Sequence, residues 1–218
     1  MHRKYSYDTK KYNFYSIIRD IYDIDELDNL HLEKEDLMPN YKLDFKNKSK
    51  TKAHQIFYKN LHSIEGSFKN FVAEEISPLF DEDFVYQKTP TFRVQWPNEQ
   101  AIHYWHYDSD EDHRHPAWEI NFQVAITDML GTSCTWAESV PGLKDFRPME
   151  MNYGEYIAFD GNRCLHGNKT NTTGRTRVSF DFRVIPFSRY SPEKYKNVVS
   201  ATKNNSFKIG GYYKLFKK

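Results

Sequence analysis

The chain has 218 residues and carries 31 basic against 30 acidic side chains, a net charge of +1. That length suits one domain, since domains commonly run to about 100–200 residues, and the even charge argues against a nucleic-acid partner, which calls for a basic excess. Two distant cysteines, Cys134 and Cys164, argue against a disulfide framework and fit a reducing cytoplasm. No apolar run approaches the roughly 20 residues that a membrane span needs, and "MHRKYSYDTK" has no apolar stretch of the secretory kind behind its charges.

Residues 1–50 are polar and mixed, and Ile17, Ile18, Ile21, Tyr22 and Ile24 predict one short amphipathic helix there. The run "NKSKTK" (47–52) reads as a solvated loop. From Ala53 to Phe80 the apolar residues Phe57, Leu61, Ile64, Phe68, Phe71, Val72, Ile76 and Leu79 recur at spacings of three and four, which is one helix face. Gly66 weakens its middle, Pro78 lies near its end, and the apolar face is expected against the outside of a sheet.

After Phe80 the period becomes two. "TFRVQW" sets Phe92, Val94 and Trp96 against Thr91, Arg93 and Gln95. "WEINFQVAIT" sets Trp118, Ile120, Phe122, Val124 and Ile126 against Glu119, Asn121, Gln123, Ala125 and Thr127. "RTRVSFDFRV" sets Val178, Phe180, Phe182 and Val184 against Arg177, Ser179, Asp181 and Arg183, and "KIGGYYKLF" (208–216) reads as a closing strand. Gly and Pro punctuate between the runs. Short strands with turns at this density predict an all-β sandwich or barrel, of which the double-sheet jelly roll is one form. The polar faces carry Arg, Gln, Asn, Ser and Asp rather than the usual Lys and Glu coat, which favours a wet interior cavity over open solvent.

The stretch "HYWHYDSD" (103–110) holds the first chemical signal. On a strand His106 and Asp108 point to the same side, while His103 points away. His166 follows 60 residues after His106, far enough for the fold to bring it alongside. Two imidazoles and a carboxylate form the facial triad of non-haem Fe(II) oxygenases, with open positions on the metal. An H-x-D pair alone is a weak signal and better describes a surface or structural hydrogen-bonded pair.

"HGNKTNTTGRTRVSF", starting at His166, adds weight to the metal reading. With the upstream H-x-D pair, His166, Gly167, Asn171, Thr173 and Arg177 resemble the pattern H-G-x-x-x-N-x-T/S-x-x-x-R of the Fe(II)/2-oxoglutarate-dependent oxygenases, in their phytanoyl-CoA-dioxygenase-like branch. The text from "HYDSDEDHRHPAWEINF" to "VPGLKDF" is also similar to oxygenase-like proteins found with streptomycin biosynthesis. The resemblance covers about residues 88–213. It implies a mainly β fold, a double-stranded β-helix (jelly roll, cupin-like) with N-terminal flanking α-helices. The expected organisation is a single oxygenase domain over 1–218, with a mostly helical flank (1–80) and a jelly-roll core (84–213).

The same resemblance implies that His106, Asp108 and His166 ligate Fe(II) and that Arg177 pairs with the far carboxylate of 2-oxoglutarate, with O₂ as the third reactant. The planar guanidinium fork suits a carboxylate; an internal salt bridge to Asp181 or Glu155 is the alternative. Ser179 adds a hydrogen bond, and Asn168 stands where relatives often place a small polar residue. Arg93 and Gln95 are candidates for the near carboxylate of 2-oxoglutarate or for substrate. Asn121, Gln123 and Thr127 are inward candidates of the same grade, Arg175 is the runner-up anchor, and a purely structural role stays open for each of these residues. Because Asp108 is present, the expected reaction is hydroxylation or a related oxidation of a C–H bond, not halogenation, with succinate and CO₂ as coproducts. The expected substrate is a small polar metabolite: an amino acid, a sugar or an aminoglycoside-like molecule.

The rival reading is a cupin-like metal-dependent sugar isomerase or epimerase without redox chemistry, which gives no reason for the spacing from His166 to Arg177. "DSDEDHRHP" (108–116) reads either as a substrate-covering loop or as a solvated one. His113 and His115 are not counted as ligands, Cys164 is a small core residue, and Trp118, Trp136, Phe146 and Tyr156 are candidates to wall the pocket or fill the core.

Overall fold

The computed structural model describes residues 2–39, 51–100, 105–195, 197–198 and 206–218. His103 and residues 47–50 of the expected loop lie outside them. Among the described residues no helix is long and apolar enough to cross a membrane.

The first element is a strand, β1 (Arg3–Ser6), followed by α1 (Phe14–Tyr22), the short α2 (Leu30–Glu33), α3 (Lys52–Lys59) and α4 (His62–Phe71). In α1 the buried positions Phe14, Ile18 and Tyr22 fall four apart, and the helix stops at Asp23 in a left-handed conformation, φ 51°. The single helix expected over 53–80 is broken. Asn60 ends α3 with its Nδ2 donating to the Ile56 carbonyl at 3.0 Å. Beyond α4 the chain continues as a π-turn (Val72–Ile76) and a 3₁₀ turn with Pro78 inside it. The break is invisible in the pattern because the three-and-four spacing runs straight across it.

The strands are β2 (Phe84–Gln87), β3 (Thr91–Gln95), β4 (Ile120–Ala125), β5 (Thr135–Ala137), β6 (Arg147–Pro148), β7 (Glu155–Phe159), β8 (His166–Asn168), β9 (Arg177–Pro186) and β10 (Tyr213–Phe216); a short α5 (Pro192–Tyr195) precedes the last. They form a seven-stranded antiparallel sheet, in the order β1-β7-β4-β9-β2-β10 with β3 also paired to β9, and a three-stranded sheet β6-β5-β8. Strand β9 is the spine of the large sheet. One edge pairs with β4, from Ala125↔Ser179 to Ile120↔Val184. Its other edge is shared end to end by β3 (Thr91↔Asp181 to Gln95↔Arg177) and β2 (Phe84↔Pro186 to Tyr86↔Val184). Trp118, expected inside the β4 run, lies before the strand with φ 70° and is exposed.

The alternation on β9 divides the molecule. Val178, Phe180, Phe182 and Val184 face the helices, where Phe180 meets Phe14 (5.1 Å between rings), Phe182 meets Phe68 (5.1 Å), and Phe92 of β3 stacks on Phe57 (4.0 Å). Burying one such ring contributes about 1.5–3 kcal/mol, so this aromatic layer anchors the helices to the sheet. Arg177, Ser179, Asp181 and Arg183 occupy the other face and are buried too. A smaller apolar cluster, with Met129, Met149, Met151 and Ile157, joins residues of the large sheet to Ala137 of the small one. The polar faces of β4 and β9 line a cavity.

Candidate metal centre

His106 belongs to no regular strand; it forms a bridge to His166. The His106 N–H donates to the His166 carbonyl at 2.9 Å, the His166 N–H donates back at 3.1 Å, and the Asp108 N–H donates to the Gly161 carbonyl at 2.8 Å. Residues 106–108 thus run beside 161–166, and the two-residue step puts both side chains inward as the alternation requires. His106 Nε2 and His166 Nε2 lie 3.7 and 3.8 Å from Asp108 Oδ1, and one donor atom from each residue falls within 4.8 Å of the others. All three are buried. Among the described residues this is the sole such cluster of three.

The donor chemistry fits a divalent ion. His166 Nδ1 lies 3.0 Å from the Cys164 carbonyl, so that nitrogen carries the proton and Nε2 keeps its lone pair for a metal. Burial favours the neutral imidazole of His166 over the cation, outweighing the pull of Asp108. Burial alone would raise the Asp108 carboxyl. The Arg183 guanidinium, then His115, His166 and His106, outweigh it and hold Asp108 well below the ordinary carboxylate range, as a ligand must be. Its Oδ2 accepts from Asn121 Nδ2 (2.7 Å), Arg183 Nη2 (2.9 Å) and Arg183 Nε (3.2 Å), while Oδ1 faces the imidazoles.

His106 and His166 of this cluster share a small cavity with Arg177, lined also by Asn121, Gln123, Thr135, Asn168 and Phe159. Arg177 is 2% exposed. Its guanidinium donates to the Ser133 carbonyl (3.1 Å), Ser179 Oγ (2.9 Å) and Gln95 Oε1 (3.1 Å), all neutral acceptors. Among the described residues it makes no ion pair. The salt-bridge alternative is excluded by where the carboxylates go: Asp181 takes Arg93 (2.6 Å) and Arg183 (2.7 Å), and Glu155 takes Lys4 (3.3 Å). Burial, then the nearby Arg93 charge, push Arg177 down to about 10. Gln123 Oε1 and Asn121 Oδ1 are buried without hydrogen-bond partners. Exchanging the two amide atoms of Gln123 would let its oxygen accept from Thr135 and turn the NH₂ into the cavity, which suits an anion there.

The other expected residues are placed as follows. Asn168 and Asn121 line the cavity, Asn168 held by donation to the Cys134 carbonyl at 3.1 Å. Arg93 lines it too, with its Nε committed to Asp181. Gln95 sits behind Arg177, its amide donating to the Glu99 and Lys169 carbonyls, and so orients the arginine instead of reaching a ligand. Thr127 does not line the cavity and accepts from the Val178 N–H at 2.9 Å. Arg175 is exposed, which removes it as an anchor. Trp118, Trp136, Phe146 and Tyr156 are absent from the wall; Tyr156 faces the helices, and the aromatic that does line the cavity is Phe159. The charged loop folds back over the site: His113 stacks on His106 with rings 4.4 Å apart and bonds Asp110 Oδ1 at 2.8 Å. Burial raises the thiols of Cys134 and Cys164 to about 12 and about 11, which suits core residues.

The pattern after His166 has a local explanation. A Cβ on Gly167 would lie 3.0 Å from the Trp105 ring, so any larger residue requires that ring to shift by a few tenths of an ångström. Asn171 Oδ1 accepts from the Thr173 N–H (3.1 Å) and hydroxyl (2.7 Å), and its Nδ2 donates to the Arg175 carbonyl (2.7 Å). This side-chain-closed turn feeds the chain into β9 with Arg177 facing inward. Arg183 was the residue that sequence reasoning left without a role, although its place six after Arg177 on the same face was visible.

No protein-family profile matches the chain. The streptomycin biosynthesis protein StrG of Streptomyces griseus is 34% identical over 163 residues, covering 75% of each chain. Among solved structures, AviO1 from Streptomyces viridochromogenes Tue57 aligns with 87% of this chain and 91% of its own at 13% identity and a TM-score of 0.48. HygX from Streptomyces hygroscopicus, with nickel and 2-oxoglutarate bound, aligns with 85% of this chain and 83% of its own at 10% identity and a TM-score of 0.45. EctD from S. alaskensis, with bound Fe, aligns with 86% and 73% at 10% identity and a TM-score of 0.49. Likeness at that distance carries no assignment, whereas a relative of this identity and coverage does: the chain belongs to the family of the streptomycin biosynthesis protein StrG.

Proposed function

We propose that the protein is an Fe(II)- and 2-oxoglutarate-dependent dioxygenase that oxidises a C–H bond of a small polar metabolite. In this reading residues 1–218 form one oxygenase domain, a helical flank on a double-stranded β-helix (jelly roll), acting in the cytoplasm. The observation that carries it is Arg177: a buried guanidinium with three neutral acceptors and, among the described residues, no carboxylate partner, lining the same cavity as His106 and His166 of the metal cluster. A buried cation without a counter-charge is costly, and a dianionic cosubstrate with one carboxylate at Arg177 removes that cost. The sugar isomerase reading leaves this arginine unexplained.

When bound, the iron and the keto acid supply the oxidising chemistry, with succinate and CO₂ as coproducts. His106, Asp108 and His166 hold the ion on one side and leave the other side open. Arg177 fixes the far carboxylate, with Ser179 turned by it into hydrogen-bonding reach and Gln95 setting the plane of the fork. Asn121, Gln123 and Asn168 line the path between the two ends, and Phe159 closes part of the wall against water. Asp108 as third ligand supports hydroxylation over halogenation. The polar lining, and the name of the Streptomyces griseus relative, support a sugar, amino acid or aminoglycoside-like substrate.

The test is to titrate 2-oxoglutarate anaerobically into protein carrying one equivalent of Fe(II). A weak visible metal-to-ligand charge-transfer band is expected. Fe(II) binding with no such band would overturn the oxygenase assignment in favour of a redox-free isomerase.

A further inference from the structure

We propose that Arg183 is a positioning residue that restricts Asp108 to one metal-binding oxygen, Oδ1. The inference rests on the metal-site reading above and goes beyond it by stating how the open positions on the ion are kept open.

A carboxylate can bind a metal through one oxygen or through both. At Asp108 the second oxygen is already saturated. Oδ2 receives Arg183 Nη2 at 2.9 Å, Arg183 Nε at 3.2 Å and Asn121 Nδ2 at 2.7 Å, whereas the facing His106 and His166 nitrogens approach Oδ1. Three donors on one oxygen fix the plane of the carboxylate as well as its charge. A lysine in place of Arg183 would supply the charge but not the side-on fork.

The donors are themselves held. Arg183 Nη1 donates to Asp181 Oδ2 at 2.7 Å, and Asp181 Oδ1 is held in turn by Arg93 Nε at 2.6 Å. Glu119 Oε2 lies 4.0 Å from Arg183 Nε and is occupied by His115 Nδ1 at 2.8 Å, with Tyr213 OH on its other oxygen. Asn121 is free to reach Asp108 because position 161 is glycine: a Cβ there would lie 2.6 Å from Asn121 Nδ2. Four alternating charges, Arg93, Asp181, Arg183 and Asp108, therefore end on one lone oxygen atom of a metal ligand. The consequence is functional. A bidentate keto acid and O₂ together need three positions opposite the triad, and a two-oxygen Asp108 would take one of them.

The experiment counts exchangeable waters on the Mn(II)-loaded full chain by water-proton relaxation. An octahedral ion with three protein donors keeps about three waters, and one with a two-oxygen Asp108 keeps about two. Wild type is expected at about three; Arg183→Met is expected to bind Mn(II) with relaxivity lower by about one third. Arg175→Met removes an exposed cation outside this hydrogen-bonded chain and is expected to match wild type. If Arg183→Met does not fold, Arg183→Lys decides, and its relaxivity is expected to fall as well. Equal relaxivity in wild type and every Arg183 variant that binds Mn(II) overturns the inference, and so does an equal fall in Arg175→Met. Failure of wild type to bind Mn(II) at all would instead overturn the metal-site reading beneath it.

Discussion

Arg177→Met gives the sharpest separation between a ligand anchor and a structural arginine. The wild-type guanidinium makes three bonds to neutral acceptors, and its protonation is pushed down to about 10 by burial and by Arg93. A folded-state value below the unfolded one means that the charge costs stability at every pH below about 10, and the cost fades only above it. The variant removes this cost and also strands the Ser133 carbonyl and Gln95 Oε1, two effects of opposite sign, so the ligand-free melting temperature should move by only a few degrees. Ligand binding has no such compensation. Two charge-assisted bonds at the low end of their range, about 1.5 kcal/mol each, amount to about 3 kcal/mol, or roughly 100-fold in affinity. At 2-oxoglutarate equal to about 100 times the wild-type Kd, on metal-loaded protein, wild type gains about 2.7 kcal/mol and the variant about 0.4 kcal/mol. For a chain of this size that is a rise of about 5–11 °C against about 1–2 °C. Scanning calorimetry with and without 2-oxoglutarate measures both. Equal ligand-induced shifts in the two proteins would refute the argument, because no other described cation in the cavity lacks a carboxylate partner.

Two further outcomes follow from the surroundings of the site. Gly161→Ala should push the Asn121 amide off Asp108, since the new Cβ would meet Asn121 Nδ2 at 2.6 Å and Cγ at 2.9 Å, and weaken Mn(II) binding about tenfold or more by calorimetric titration; unchanged affinity would show that Asn121 does not support the ligand. His54, buried between α3 and β3, is pushed down to about 4 by burial first and the Arg93 charge second. Its unfolded form takes up a proton near pH 6.5 that the fold refuses until about 4, so stability is lost as pH falls through that window, on the order of 3 kcal/mol in all. Urea midpoints at pH 7 and pH 4 should show a clearly smaller acid loss in His54→Leu than in wild type.

How far the sequence reveals this molecule depends on whether a signal is periodic. Strand β9 reads plainly because both of its faces are coherent: Val178, Phe180, Phe182 and Val184 meet helices, and Arg177, Ser179, Asp181 and Arg183 meet the cavity. The H-x-D pair is legible through its two-residue step, yet its segment is an isolated bridge and not a strand, because it pairs with a loop and with the start of β8. Strand β1 is hidden. "RKYS" has no alternation of its own, and its partners run from Glu155 to Ala158, so pairing across the chain makes it a strand. The aromatic residues mislead for a similar reason. Rings fill whichever apolar volume adjoins their face, and Tyr156 points to the helices while Phe159, three residues on, points to the cavity.

Charge explains why the cavity selects one class of ligand. Arg93, Asp181, Arg183 and Asp108 cancel in pairs along one hydrogen-bonded chain, so none of them demands a counter-ion. Arg177 stands apart from that chain, and a divalent ion at His106, Asp108 and His166 adds two further positive charges in a buried space. A neutral sugar would leave all three uncompensated in a low-dielectric interior, where isolated charge is expensive. A dianion that reaches from the ion to Arg177 offsets two of the three and supplies acceptors at both ends. The amide oxygens left over on Asn121 and Gln123 are acceptors and need donors. They are poor neighbours for a carboxylate as they stand, so an amide turn at Gln123 on ligand binding is the cheapest way to complete the site. Nitrogen-15 side-chain amide signals of Gln123 should then shift on adding 2-oxoglutarate to the metal-loaded protein, while a Gln123 amide indifferent to the ligand would place the anion elsewhere.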